Sequence, residues 1–312
     1  MVVVATNITY FLANAFLDPR TLFVGRRPPL SPKQIDTLLQ ANNLNTNESI
    51  FLRWWTWAKD IVLHWDWGNS PTGDPVNAQI AFRIGVSAEL LLGAFVLYTI
   101  IGIGLGVYSA SRQYKVSDRI VQAVSIITLN IPVVVMSLAI VLIAIWFNQK
   151  LGVRVFYVTG SSSANVHGFD RVVDLFQHLT LPTISLVIIS YAGTQLLQRS
   201  LLLDNISADY VRMARAKGLT KSQAIRKHAL RTSLIPVATQ VAFSIPGLFT
   251  GAVLTETIFN WQGMGQYFID TLNKMDINGV VAVAAFGALM TAIGAVLADI
   301  AVVVLDPRVR VH

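Results

Sequence analysis

The 312-residue chain has few side chains that could do covalent chemistry. It has no cysteine, which removes disulfides, thiolate nucleophiles and cysteine-bound zinc or iron–sulfur centres together. The five histidines, His64, His167, His178, His228 and His312, show no metal-ligand spacing, and no G-x-S-x-G nucleophile turn occurs. No Gly-Lys dipeptide exists, so the phosphate-cradling loop G-x-x-x-x-G-K-[ST] is missing and the chain has no such route to nucleotide hydrolysis. It is expected not to be an enzyme and to bind no metal or cofactor of its own. Two constellations remain. Three carboxylates, Glu89, Glu256 and Asp299, lie within or at the ends of apolar runs, where an ionisable group is costly and calls for a partner or a wet cavity. Glu89 and Asp299 stand close enough to run ends to reach an interface, while Glu256, just before Phe259 and Trp261, suits either an ammonium group or a docking protein. The second constellation is a dense basic stretch between Asp204 and Arg231.

Both must be positioned by elements that live in a bilayer. Hydrophobic residues make up 54% and charged residues only 13% of the chain, about half the charge of a soluble domain. Six runs read as spanning helices against a hydrocarbon core of ~30 Å: Met1 to Leu17, Ile84 to Ala110, Ile120 to Phe147, Leu179 to Leu197, Leu234 to Ile258 and Val280 to Leu305. The first is short and carries Asn7 and Asn14, and its beginning is expected to lie upstream. The domain reading is therefore a first helix over 1–17, an outer insert over 18–83 and a five-helix core over 84–312. More than half of the 24 basic residues fall in three stretches on one side of this layout. These are Arg112 to Arg119, Arg199 to Arg231, and the tail with Arg308 and Arg310. That asymmetry places those stretches and both termini in the cytoplasm.

Pro132, Pro182 and Pro246-Gly247 punctuate the spans, either as packing features or as hinges beside a pathway. Gly102, Gly104 and Gly106 contain a GxxxG pair and predict close helix packing. Five of the seven tryptophans, Trp54, Trp55, Trp57, Trp65 and Trp67, cluster in the outer insert. They predict an interfacial helix at headgroup level, with substrate stacking as the other reading.

The stretch 204–231 reads DNISADYVRMARAKGLTKSQAIRKHALR. Ser207 can cap a helix through Tyr210, Val211, Ala214 and Ala216, with Gly218 supplying the left-handed residue past its end. Thr220 and Gln223 then match a capping box, opening a second helix through Ala224, Ile225 and Leu230. The expectation is a helix–turn–helix with a basic surface and a small-residue face. Resting on anionic lipid is one reading of such a hairpin.

The A-R-A-K-G pattern, followed about ten residues later by R-H-A-L-R, resembles the cytoplasmic signature loop of permease subunits in binding-protein-dependent ABC importers. Arg212, Met213 and Ala214 fall on the Glu-Ala-Ala positions, Gly218 on the glycine, and His228, Leu230 and Arg231 on the closing Ile, Leu and Pro. Departures from the general consensus look like the oligopeptide, dipeptide and nickel branch. Asp66-Trp67-Gly68-Asn69-Ser70 with Pro75-Val76, Ile80, Arg83 and Glu89-Leu90 is similar to the segment before the second helix of its B-type subunits. Glu256-Thr257-Ile258-Phe259 with Gly263 and Gly265 resembles E-x-x-F-x-x-P-G-x-G, with Gln262 at the proline position. Asp299 with Asp306-Pro307-Arg308-Val309-Arg310 resembles its terminus. The resemblance runs from about Arg53 to the end.

That resemblance implies an all-α polytopic protein of the type I ABC importer kind, in a bacterial-type inner membrane. It implies a peptide permease with Arg212, Ala214, Arg215, Ala216, Lys217, Gly218, Lys221 and His228 in the ATPase-coupling loop. Its partners would be a second homologous permease, two P-loop ATPase subunits carrying ATP and Mg, and an extracytoplasmic solute-binding protein. Peptide is the cargo, lipid the surroundings, and nucleic acid plays no part. On the same reading Glu89, Glu256 and Asp299 serve the pathway or binding-protein docking. The alternative is a secondary transporter or channel working without an ATPase, which would draw on the broken helices and buried carboxylates.

Overall fold

The computed structural model describes residues 1–163 and 166–305, without the side chains of 246–251 and 305. The DPRVR terminus with Arg308 and Arg310 lies outside them. Thirteen α-helices are named among the described residues, and no β-strand occurs there, only an isolated bridge between Asn69 and Pro75.

The first expected span forms α1 (Val2–Phe16), an apolar helix that at 15 residues is shorter than those long enough to cross a membrane. Its two awkward asparagines differ: Asn7 Oδ1 accepts from Trp54 Nε1 at 2.6 Å, whereas Asn14 Nδ2 donates to Tyr10 O at 2.9 Å but Asn14 Oδ1 is buried without a partner. The outer insert folds as a short 3₁₀ turn (Pro19–Phe23), α2 (Pro32–Ala41) and α3 (Ile50–His64). Ser31 and Gln34 open α2 with a reciprocal capping box. The second span is α4 (Val76–Ser111), at about 54 Å far longer than the hydrocarbon core requires.

The third expected span is two helices, α5 (Val116–Asn130) and α6 (Val133–Leu151). Pro132 breaks the run because its ring pushes the preceding residue out of the helical region, and Ile131 is extended at φ −79°, ψ 123°. Pro182, by contrast, sits inside the unbroken α7 (Phe169–Ile206). After α8 (Asp209–Ala216) and α9 (Lys221–Ala224), a π turn (Ile225–Ala229) leads into α10 (Leu230–Gly251). The fifth expected span is also interrupted, at Ala252, so that Glu256 belongs to the separate short α11 (Val253–Ile258). Then follow α12 (Met264–Asn273) and α13 (Ile277–Leu305).

The helices α4, α6, α7 and α13 are long and apolar enough to cross a membrane, and α10 has spanning length at 22 residues. Their outward faces suit hydrocarbon rather than water. Ile100, Leu142 and Ile143 are each more than 60% exposed. The fold is that of an all-α, multi-pass membrane protein.

The chain divides into two compact units, Met1–Ala88 with Phe249–Ala292, and Glu89–Leu248 with Ile293–His312. These boundaries differ from the sequence divisions at 17 and 83. In the first unit the insert shares one core with α1 and α13, built on Tyr10, Leu39, Leu44, Trp57, Ile277 and Val281. The tryptophans accordingly split: Trp57 is buried against the Tyr10 ring at 4.6 Å, while Trp55 and Trp65 are exposed. In the second unit α4 and α7 approach closely. A Cβ on Gly102 would lie 2.9 Å from Tyr191 O and one on Gly106 2.8 Å from Gln195 O, whereas Gly104 faces open space.

Candidate functional site

The stretch after α7 makes a tight helical hairpin. Ser207 does not cap α8. It ends α7 in a helical conformation, with its hydroxyl donating to Asp204 O at 3.2 Å, and Ala208 takes the N-cap position instead. Asp209 in the first turn supplies the negative charge that a helix N-terminus favours. The end of α8 is a Schellman motif. Leu219 N donates to Ala214 O at 3.3 Å and Gly218 N to Arg215 O at 3.0 Å, with Gly218 at φ +93°. Thr220 and Gln223 then form the expected capping box. The second helix is no separate rod. It passes through the π turn directly into α10, so the turn and the next span are one continuous element.

The two faces of the hairpin are chemically distinct. Val211, Ala214, Ala224, Ile225 and Ala229 are buried in one core with Ala110 of α4 and Leu202 of α7. Small side chains let the short helices lie close to those helix ends. Arg212, Met213, Arg215, Ala216, Lys217, Gly218 and Lys221 are exposed, and His228 is half-buried. Of the predicted coupling residues, Ala214 is therefore a core residue, His228 lies half-buried, and the other six form the outer surface. Arg212 pairs loosely with Asp209 at 3.5 Å.

One ion pair fastens the root of this assembly. Arg199 Nε and Nη2, on α7, donate to Asp118 Oδ1 and Oδ2, on α5, each at 2.8 Å. Ser109 Oγ of α4 donates to the same carboxylate, and Tyr114 N adds a bond at 2.9 Å. Asp118 is fully buried, and the Arg199 guanidinium holds its carboxyl well below the usual carboxylate range. Three helix ends thus meet at one side chain. The sequence reading missed this node, whose only local signal is a lone acid among Arg112, Lys115 and Arg119.

The three membrane carboxylates are not brought together. Glu89 and Asp299 are exposed. Glu256 is fully buried, and its oxygens are occupied by the chain itself. Oε1 accepts from Ser87 Oγ at 2.7 Å, and Oε2 accepts from Gly265 N at 2.8 Å and Gln266 N at 3.1 Å. Ser87 Oγ in turn accepts from Met264 N at 2.7 Å. The carboxylate therefore caps the N-terminus of α12 and ties it to α4. The motif glycines follow from this crowding. A Cβ on Gly263 would collide with the Glu256 carboxylate, 2.5 Å from Cδ, and one on Gly265 would lie 2.7 Å from Val253 Cα. Trp261 completes the corner, with Nε1 donating to Val86 O at 2.8 Å.

One histidine, His178, holds a loop. His178 Nδ1 lies 2.9 Å from Gly160 O, Nε2 lies 3.2 Å from Ser163 Oγ, and the ring stacks on Tyr157.

Known proteins are similar in sequence to nearly the whole chain. It is 37% identical to the oligopeptide transport system permease protein OppB of Mycobacterium tuberculosis, covering 100% of this chain and 95% of that protein. It is 31% identical to the oligopeptide transport system permease protein AppB of Bacillus subtilis, over 94% and 90% of the two chains. With the dipeptide transport system permease protein DppB of Lactococcus lactis the identity is 30%, over 97% and 93%. The family described as "Binding-protein-dependent transport system inner membrane component" matches residues 102–311, a stretch that contains the hairpin, its Asp118–Arg199 root and Glu256 with its glycines, and the chain belongs to that family.

Proposed function

We propose that this chain is a permease subunit of an ATP-driven peptide importer, forming half of the translocation pathway and coupling to a separate ATPase through the hairpin 204–231. It performs no catalysis itself. ATP and Mg act on two P-loop ATPase subunits, a second homologous permease supplies the other half of the pathway, and an extracytoplasmic binding protein delivers the peptide. Both termini and the hairpin face the cytoplasm. The similarity to oligopeptide and dipeptide permeases supports peptide as cargo.

The observation that carries the coupling reading is the two-faced hairpin. Its outer rim offers Arg215, Lys217 and Lys221 around an exposed turn, suited to acidic or polar groups on a partner. Its inner face is packed on α4 and α7, and its second arm continues into α10. A push on the turn is therefore passed to three helices together. Asp118 and Arg199 keep the root rigid, and Glu256 acts as a positioning residue for α12. Among the three carboxylates, Glu89 and Asp299 remain free to face a ligand or a partner.

The test is charge reversal in the assembled transporter with Arg215→Glu, Lys217→Glu and Lys221→Glu combined. These side chains are exposed, so the permease should reach the membrane at normal level while peptide uptake falls at least tenfold and ATPase co-purification weakens. Gly218→Pro should do the same, because proline cannot adopt φ +93°. Uptake unchanged in both removes the coupling role.

A further inference from the structure

The second unit holds a cavity of about 300 Å³ whose wall carries polar side chains from three helices. Tyr98 of α4, Ser190, Gly193 and Thr194 of α7, and Gln240 and Ser244 of α10 line it. Every polar group in that wall is neutral. Tyr98 Oη and Ser244 Oγ are 3.0 Å apart, and Ser244 gives its own proton to Val241 O at 2.7 Å, so the tyrosine is the donor of the pair. Ser190, Thr194 and Gln240 make no side-chain hydrogen bond among the described residues. The next residue on α7, Gln195, is fully buried with both amide atoms unpartnered.

Polar groups without partners are expensive at membrane depth, about several kcal/mol each in hydrocarbon. A cluster of them on three facing helices needs something polar to bind. Fixed charge would select one sign of ligand, and there is none here. Hydroxyl and carboxamide groups can each donate and accept. They therefore match the alternating N–H and C=O groups of a peptide backbone in either chain direction, with no preference for the charge of its side chains.

We propose that this cavity is a backbone-reading station of the permeation path, contacting the amide groups of a passing peptide through Ser190, Thr194, Gln240 and the Tyr98–Ser244 pair. The proposal rests on the peptide-import reading above. It makes the station charge-blind by construction, so that discrimination among side chains falls elsewhere.

Gln240 is the position to test, because it is exposed in this chain and tolerates change without repacking a core. In the assembled transporter, uptake of three tripeptides of equal length bearing a lysine, an alanine or an aspartate side chain is measured for wild type, Gln240→Glu and Gln240→Lys. Rates are normalised to membrane level. The unchanged binding protein contributes the same preference to all three proteins, so each ratio relative to wild type reports the permease alone. A charge placed beside the path should raise the lysine-to-aspartate ratio about tenfold in Gln240→Glu and lower it about tenfold in Gln240→Lys. Opposite shifts of that kind support the station. A uniform change in all three rates, or unaltered ratios, overturns it while leaving peptide import standing. Absence of tripeptide uptake in the wild type overturns peptide import itself, and the station with it.

Discussion

Two corners of this molecule turn the chain between helices with glycine, and they use glycine for different reasons. At the hairpin, Gly218 has nothing within 4 Å of where a Cβ would stand, and it is needed for its backbone angle of φ +93°. At the α11–α12 corner, Gly263 has an ordinary extended backbone and is needed for room, because the Glu256 carboxylate and Ser87 hydroxyl occupy the space a side chain would take. The first is a shape held open toward a partner, the second a closed circuit of hydrogen bonds. Glycine in a motif therefore does not say by itself whether a site faces outward or is sealed. The neighbouring charges do: exposed Arg215, Lys217 and Lys221 in one case, a fully buried Glu256 in the other.

The contrast breaks most severely at the root of the hairpin. Asp118→Ala leaves Arg199, 15% exposed at its side chain, without its carboxylate, and should destabilise the second unit by about 4 kcal/mol. Thermal melting of the detergent-solubilised protein should show the loss, and a melting temperature like wild type would mean that the pair contributes little. The sealed corner comes next. Gly263→Ala forces a methyl group into the Glu256 oxygens and should cost about 3 kcal/mol. Ser87→Ala on its own removes the donor to Glu256 Oε1 and the acceptor of Met264 N, and should cost about 2 kcal/mol. If Ser87→Ala melts like wild type, the serine is not what ties the corner to α4.

How far these corners were legible depends on the distance over which their causes act. The spans were readable because an apolar run of about 20 residues is a local property. Their true ends were not: α7 runs from Phe169 to Ile206, through Asp170, Asp174 and Arg199, since helix continues beyond hydrocarbon where hydropathy falls. Pro132 was visible as a disruption, but whether proline bends or breaks a helix depends on neighbours, and Pro182 is carried within an unbroken helix. The hairpin was readable almost to the residue because capping boxes and Schellman turns are written within six positions. Ser207 was the exception, claimed by the helix before it. Asp118 and Arg199 are 81 residues apart and Ser87 and Glu256 are 169 apart, so no local pattern announces either pair. The carboxylate at Glu256 could be recognised as unusual, but not as a cap.

A second carboxylate of the first unit tests the sealed kind of site by pH. Asp276 is 2% exposed and precedes α13, where Oδ1 accepts from Gly279 N at 3.0 Å, and a Cβ on Gly279 would lie 2.5 Å from Oδ2. Burial pushes its carboxyl up from 3.8 to about 6. The folded state therefore holds the proton where the unfolded chain has already released it. Stability contributed by the protonated form is fully present below about pH 4 and is lost as pH rises through about 6, by roughly 2–3 kcal/mol. Hydrogen-exchange protection at the start of α13, taken relative to the intrinsic exchange rate at each pH, should fall across that range and level off above it. Asp276→Asn, which can still cap, should flatten the profile, and an unchanged profile would assign the titration to another group.

The smallest effect is the most informative about the hairpin. Gly218→Ala meets no neighbour, so its whole cost is that of placing an L-residue in the left-handed region, about 1 kcal/mol. Asparagine tolerates that region better than alanine, so Gly218→Asn should cost less. If the turn acts only through its shape, uptake should follow the same order, wild type above Gly218→Asn above Gly218→Ala, with differences of a few-fold. If a partner surface sits flush on the turn, any side chain there obstructs it, and the larger asparagine should impair uptake more than alanine while remaining the more stable protein. Measured together, melting temperature and uptake of the two variants separate a turn needed for its angle from one needed for its bareness, which is the distinction Gly218 and Gly263 otherwise draw between them.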